Sequence, residues 1–276
     1  MTLKITPLHD AHAIESVSFG VEWTLPLPPA VMEALGAVYE SSLIKELPSK
    51  KPIQRVAFEI NPESGNSISQ DQSAGWTFER FSPDGRVDRS MLLTSNTLAV
   101  TFHNYSRWDD EYAVAANLMN PLLPLIAVST GGFTGFGLQY LDVFQITGGP
   151  GEFKAEMLLR QNSEILPASV FRQKSLWHSH HGYFTDMPDE PSRRKLTVIN
   201  TDLIDENNGS QQLRILTVHK TIFSVPLSDT EQIRAADQSP LDAAMHDMHN
   251  ENKAVLRSLL NDSMLARISL NAEEGT

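Results

Sequence analysis

Apolar residues recur at every second position through much of this chain, and that period dictates extended strands. In SVSFGVEWTL (16–25), Val17, Phe19, Val21 and Trp23 fall on one face. IQRVAFEI (53–60) reads as a second strand, and a loop rich in Asn, Ser, Gln and Gly follows from Asn61 to Gly75. GWTFERF, the tight turn SPDGR and the return strand VDRSMLLT then predict an antiparallel meander, with NTLAVTFHNY as its third strand. In GFTGFGLQYLDVFQI, Leu138, Tyr140 and Asp142 alternate with Gln139, Leu141 and Val143. Further strands are predicted at 152–160, 176–186, 195–205 and 212–225.

Helical spacing interrupts this pattern three times. Pro28-Pro29 opens AVMEALGAVYESSLI, with Val31, Leu35 and Val38 on one stripe. The acidic run Asp109-Asp110-Glu111 starts a helix reaching about Val128, because carboxylates favour the free N–H groups there, and Pro121 and Pro124 predict a bend. A last helix runs from about Ser239 to Leu260 after a capping Ser-Pro step. The fold class is therefore α+β: antiparallel sheets with packed helices in two related β/α lobes. TGGPG (147–151) is the candidate boundary between an N-terminal lobe, 1–148, and a C-terminal lobe ending in a helix, 149–276.

Four stretches, GWTFERFSPDGR (75–86), YSRWDDEYA (105–113), QYLDVFQI (139–146) and LDAAMHDMHNENKAVLRSLLND (241–262), together resemble a sporadically distributed family of uncharacterised bacterial proteins of similar length. That family has a W-x-F-x-S-x-D-G-like turn, a Trp-Asp-like helix start, an R-Y-I-N-R-I-like strand and a late helix beginning at a His-Asp pair. The chain departs from it at Leu141-Asp142-Val143-Phe144, where the family carries a basic residue and an Asn around the Tyr. The resemblance implies a fold and a size; it implies no activity.

Charge and composition remove several functions. A net charge of −12 opposes nucleic-acid binding, which needs clustered Lys and Arg, and Lys50-Lys51 and Arg193-Arg194-Lys195 are short and separate. The absence of cysteine excludes disulfides, zinc–thiolate sites and cysteine nucleophiles. The N-terminus lacks the apolar run of a signal peptide, and the longest apolar stretch, Leu118–Thr134, is broken by Pro121, Pro124 and Gly131-Gly132. The expectation is a cytoplasmic protein without membrane or nucleic-acid partners.

The densest chemistry is LWHSHHGYF (176–184). In a strand His178 and His180 share a face and His181 lies on the other, so a metal would need a third ligand from elsewhere. Asp186 and Asp202 are near in sequence, and His246, paired with His249 at helical spacing, is the distant choice. No G-x-S-x-G, H-E-x-x-H or phosphate-loop pattern is present, and GGFTGFG (131–137) reads as turn geometry.

Two readings follow. The first is a non-enzymatic binding or accessory protein, needing no cofactor, that recognises a protein or peptide partner. Trp177, Tyr183 and Tyr140 are its candidate contacts, and homo-oligomerisation through a sheet edge or the last helix fits it. Its second half, four strands and a long helix, resembles the layout of SecB-like chaperones. The second is a divalent-metal-dependent hydrolase or small-ligand enzyme using His178, His180 and His246. The missing catalytic patterns place the first reading ahead.

Overall fold

A computed structural model describes residues 2–61, 65–148, 152–206, 209–229, 233–235 and 238–270, and for residues 54–73 the backbone alone. Its strands are β1 (Lys4–Pro7), β2 (Ile14–Glu22), β3 (Ser49–Asn61), β4 (Gly65–Phe81), β5 (Val87–Thr94), β6 (Thr97–Phe102), β7 (Phe133–Thr147), β8 (Trp177–Asp186), β9 (Arg193–Asp205) and β10 (Gln211–Leu227). The helices are α1 (Pro29–Val38), which continues as a π turn over Tyr39–Leu43, α2 (Trp108–Met119), α3 (Leu123–Thr130), α4 (Pro240–Leu259) and α5 (Asp262–Arg267).

The strands form one antiparallel sheet in the order β3-β4-β5-β6-β2-β7-β10-β9-β8, with β1 added on β7. Outward from β2 the order runs β6, β5, β4, β3, and outward from β7 it runs β10, β9, β8, so on either side the strands step back through the sequence toward the edge. Each series is followed in sequence by helix, α2 and α3 in the first and α4 in the second, so the α+β class, with strands and helices in each part of the chain, is observed. The chain forms two compact units, residues 18–136 with 223–242, and residues 1–17 with 137–222 and 243–276. Their boundaries fall inside β2, β7 and β10, strands that serve both units, and differ from the 1–148 and 149–276 division. Of TGGPG, the last three residues lie outside the described ones.

Within the first of these units, the alternation of β2 buries Phe19 and Val21 completely. Phe19 packs against Phe102, Trp108 and Tyr112 at ring-centroid distances of 5.9, 5.4 and 5.7 Å. Helices α2 and α3 meet at 57° across the segment holding Pro121, the bend that the prolines dictate. Among the described residues no single helix is long and apolar enough to cross a membrane; the α2–α3 pair satisfies length and composition only as a bent pair.

Three elements differ from expectation. From Gly65 the polar stretch is strand, because β4 pairs with β3 without a break from Asn61↔Gly65 to Ile60↔Asn66 and onward to Arg55↔Asp71. Backbone pairing carries that hairpin, so a composition poor in β-formers does not forbid it. Residues 152–160 hold a 3₁₀ turn at Ala155–Met157 and no strand. The consecutive Leu158 and Leu159 are both buried, a pattern no alternating strand produces, and Arg160 N–H donates to Leu259 O at 2.8 Å. Helix α5, capped by Asn261 Oδ1 accepting from Met264 N–H at 3.0 Å, extends the chain beyond the expected last helix.

Truncating Phe19 leaves a cavity among three aromatic rings. Phe19→Ala is expected to lower unfolding free energy by about 3–5 kcal/mol in urea titration. A loss below about 1 kcal/mol would contradict this packing.

Candidate functional site

In β10 the buried face mixes polar and apolar residues. Leu213, Ile215, Thr217, His219, Thr221 and Phe223 are buried, while Arg214, Leu216, Val218, Lys220 and Ile222 alternate with them and stay half-buried. From Leu216 to Ile222 the closed face therefore carries two threonines and a histidine, and the open face carries Leu216, Val218, Lys220 and Ile222. Strand β9 is mixed in the same way, with Thr197 and Thr201 buried beside Ile199 and Leu203, and Leu196, Val198 and Ile204 half-buried beside Asn200 and Asp202. Burying polar groups is unfavourable unless each is hydrogen-bonded, so the closed face must supply partners.

Helix α4 supplies them. Ser239 caps it, its Oγ accepting from Asp242 N–H at 3.0 Å, and Met245, Met248, Val255, Leu256 and Leu259 bury its apolar stripe. Into that stripe it sets Asn252, which is 3% exposed. Thr217 Oγ1 donates to Asn252 Oδ1 at 2.6 Å, and His219 Nε2 lies 3.4 Å from the same oxygen. An amide oxygen only accepts, so Nε2 carries the imidazole proton, and Nδ1 accepts from Thr197 Oγ1 at 3.4 Å. Burial pushes His219 down to about 4 and the Lys195 charge adds to this, while the Asn252 bond works in the opposite direction. Lys195 in turn bridges Asp247 and Glu251 of α4. On β7, Tyr140 is fully buried and its hydroxyl lies 2.8 Å from His249 Nδ1. Burial, then the charges of Lys253 and His246, push His249 down to about 3, so the ring that pairs with the phenol is neutral.

Asp142 is the outlier of this layer. It is 1% exposed, its Oδ2 has no hydrogen-bond partner among the described residues, and burial alone pushes its carboxyl up to about 7. None of these buried groups lines either of the two surface concavities described next, so the layer clamps α4 to the sheet and presents no group to a ligand.

The open face has the shape of a site. A concavity of about 640 Å³ lies over it, floored by Leu141, Ile204 and Leu216 and rimmed by His178, His180, Asp202 and Arg214. His178 and His180 project together, ring centroids 5.4 Å apart, and His180 Nε2 is 3.8 Å from Asp202 Oδ1. Arg214 is held by Glu15 at 3.2 Å. A second concavity of about 540 Å³ lies at the β8 edge of the opposite face, lined by Arg160, Ser163, Glu164, His181, Tyr183 and Ser258.

The expected residues thus separate. His178 and His180 share a face, as the strand period requires, opposite Asp202 and Asn200 of β9. His246 is exposed on α4, which packs on the other face of the sheet, so the set His178, His180 and His246 is not assembled. Among the described residues no three His, Asp or Glu side chains converge as a metal-holding group. Tyr140 is sealed in the layer beneath α4 and is no surface contact. Trp177 packs partly into the core formed by Ile199, Leu203 and Leu256 while edging the larger concavity, and Tyr183 lines the smaller one. Sequence reasoning missed Asp142, His219 and Asn252. The signal for His219 was partly available in T-V-H-K-T (217–221), where one parity of a strand holds three hydrogen-bonding side chains, Thr217, His219 and Thr221. Comparison with known protein families, with characterised proteins and with solved structures finds no match.

Because the Asp142 carboxyl titrates higher in the fold than in the unfolded chain, its contribution is most favourable below the unfolded value and is lost as pH rises through about 7. Asp142→Asn is therefore expected to stabilise the protein by about 2–3 kcal/mol more at pH 8 than at pH 5, read from urea unfolding. Equal effects at the two pH values would show that Asp142 is not held as the acid. His219 and His249, held neutral, give the parent protein the opposite trend: their stabilisation is complete above about 6.5 and declines as pH falls toward 4.

Proposed function

We propose that the protein is a non-enzymatic binding or accessory protein of the cytoplasm, chaperone-like in action, whose open sheet face receives an extended segment of a protein or peptide partner. One observation carries this reading: Leu216, Val218 and Ile222 of β10 and Leu196, Val198 and Ile204 of β9 lie on the open face, while the buried face gives five positions to Thr197, Thr201, Thr217, His219 and Thr221 among its apolar residues. A sheet that exposes Leu141, Leu216, Val218 and Ile222 around a concavity of about 640 Å³ leaves uncovered the surface that proteins ordinarily bury. Extended segments suit such a face, since alternate side chains of a strand meet alternate rows of a sheet. The net charge of −12 favours basic over acidic partners. The cytoplasmic assignment draws on the cysteine-free composition.

The test is a pair of Leu→Lys substitutions on two strands. Leu216→Lys, in the concavity, is expected to weaken binding of a fluorescein-labelled peptide of alternating Leu and Lys by about tenfold or more, measured by anisotropy. Leu92→Lys, on β5 and 37% exposed, is expected to leave that affinity unchanged. Equal effects of the two would refute the open face as the binding surface.

A further inference from the structure

The two ends of the strand order are guarded very differently. The outermost strand at one end, β3, carries Lys50, Lys51 and Pro52, and its register with β4 shifts between Ile53 and Arg55. Charge, proline and irregularity are the devices that stop an edge from pairing with another chain. At the other end β8 has neither proline nor irregularity, and its carboxylate, Asp186, stands at the strand's last position. It runs ten residues, Trp177–Asp186, in unbroken register with β9 from Trp177↔Leu203 to Asp186↔Arg194. It contains no Lys and no Pro, and beyond it no described strand follows. Among the described residues no turn or loop backbone group bonds to it either. Phe184 is 60% exposed and Tyr183 39%.

We infer that β8 is the seam of a homodimer, pairing antiparallel with β8 of a second copy about a two-fold axis at Gly182. The side chains of WHSHHGYFTD are self-complementary about that glycine. In this register His178 lies opposite the partner's Asp186, Ser179 opposite the partner's Thr185, His180 opposite the partner's Phe184, and His181 opposite the partner's Tyr183. Each is a compatible cross-strand pair: imidazole with carboxylate, hydroxyl with hydroxyl, and ring with ring. Nine of the ten strand residues are used. Moving the axis to His181 sets two imidazoles against each other and loses the His178–Asp186 pair. Moving it to Tyr183 leaves Trp177, His178 and Ser179 without a strand partner. Residues opposite each other in an antiparallel pair share a face, so the open face of one copy continues into that of the next. His178 and His180, on the rim of the larger concavity, then meet side chains of the second copy.

The inference does not rest on the peptide-binding reading, and its test uses no peptide. The natural chain has no cysteine, so single cysteines report the register directly. Opposed Cα atoms in an antiparallel pair lie about 4.5–5.5 Å apart, within disulfide reach. Under mild oxidation Gly182→Cys is expected to cross-link to itself at least about tenfold faster than His178→Cys or Asp186→Cys alone, whose like positions would lie roughly 27 Å apart. Mixing His178→Cys with Asp186→Cys chains is expected to restore fast cross-linking, as is mixing His181→Cys with Tyr183→Cys chains. The two mixtures stand independently of how Gly182→Cys folds, since all four positions are exposed. Phe184→Lys, which places a cation opposite His180 twice per dimer, is expected to raise the dissociation constant about tenfold or more in sedimentation equilibrium. A natural chain that remains monomeric at high concentration would overturn the seam. So would fast cross-linking of Asp186→Cys with itself, or a dimer indifferent to Phe184→Lys.

Discussion

The carbonyl oxygen of Asn252 holds the arrangement of one whole unit. It takes the Thr217 hydroxyl at 2.6 Å and faces the His219 ring nitrogen at 3.4 Å, and by doing so fixes where α4 lies on β10 and which imidazole nitrogen carries the proton. A buried amide meeting two buried donors is stable only while all three are in place, since any one left alone bears its full desolvation cost. Lys195, bound to Asp247 and Glu251, and Tyr140, bonded to His249, fasten the same helix at either side of that point. Together they make the contact between α4 and the sheet specific in register as well as apolar.

The middle of β10 follows from that clamp. With Thr217, His219 and Thr221 committed to the buried parity, Leu216, Val218, Lys220 and Ile222 face outward. The open face thus carries apolar residues opposite a buried face where these polar groups sit among Ile199, Leu203, Leu213 and Ile215. Asp142 sharpens the contrast, because a carboxyl sealed beneath α4 without a partner for Oδ2 destabilises the fold at neutral pH, and nothing in the surrounding contacts offsets it.

The sequence made much of this fold legible, for physical reasons visible residue by residue. Val17, Phe19 and Val21 alternate because β2 is buried on one side, and the prolines at 121 and 124 cannot extend a straight helix. The Ser-Pro step before α4 caps it as its chemistry dictates. The hairpin beyond Asn61 was hidden because backbone pairing leaves no mark in composition, and Leu158 and Leu159 imitate a strand only until their consecutive burial is known. The candidate site was legible in part. The spacing of His178 and His180 placed them on one face, but nothing in the sequence says that α4 covers the other, and so His246 was an open choice. The polar interior was the hardest to see, since both parities of β9 and β10 mix polar and apolar residues and alternation alone does not say which one is buried.

The central claim is that the outward apolar rows of β7, β9 and β10 are a binding surface. Methyl-resolved NMR tests it most directly, with an unfolded, basic test protein titrated into the labelled chain. The account expects shift changes at Leu141, Leu216, Val218 and Ile222, with the methyls of Met245, Met248 and Leu259 on the buried stripe of α4 unmoved. Changes confined to the buried methyls, or spread evenly over both units, would contradict it.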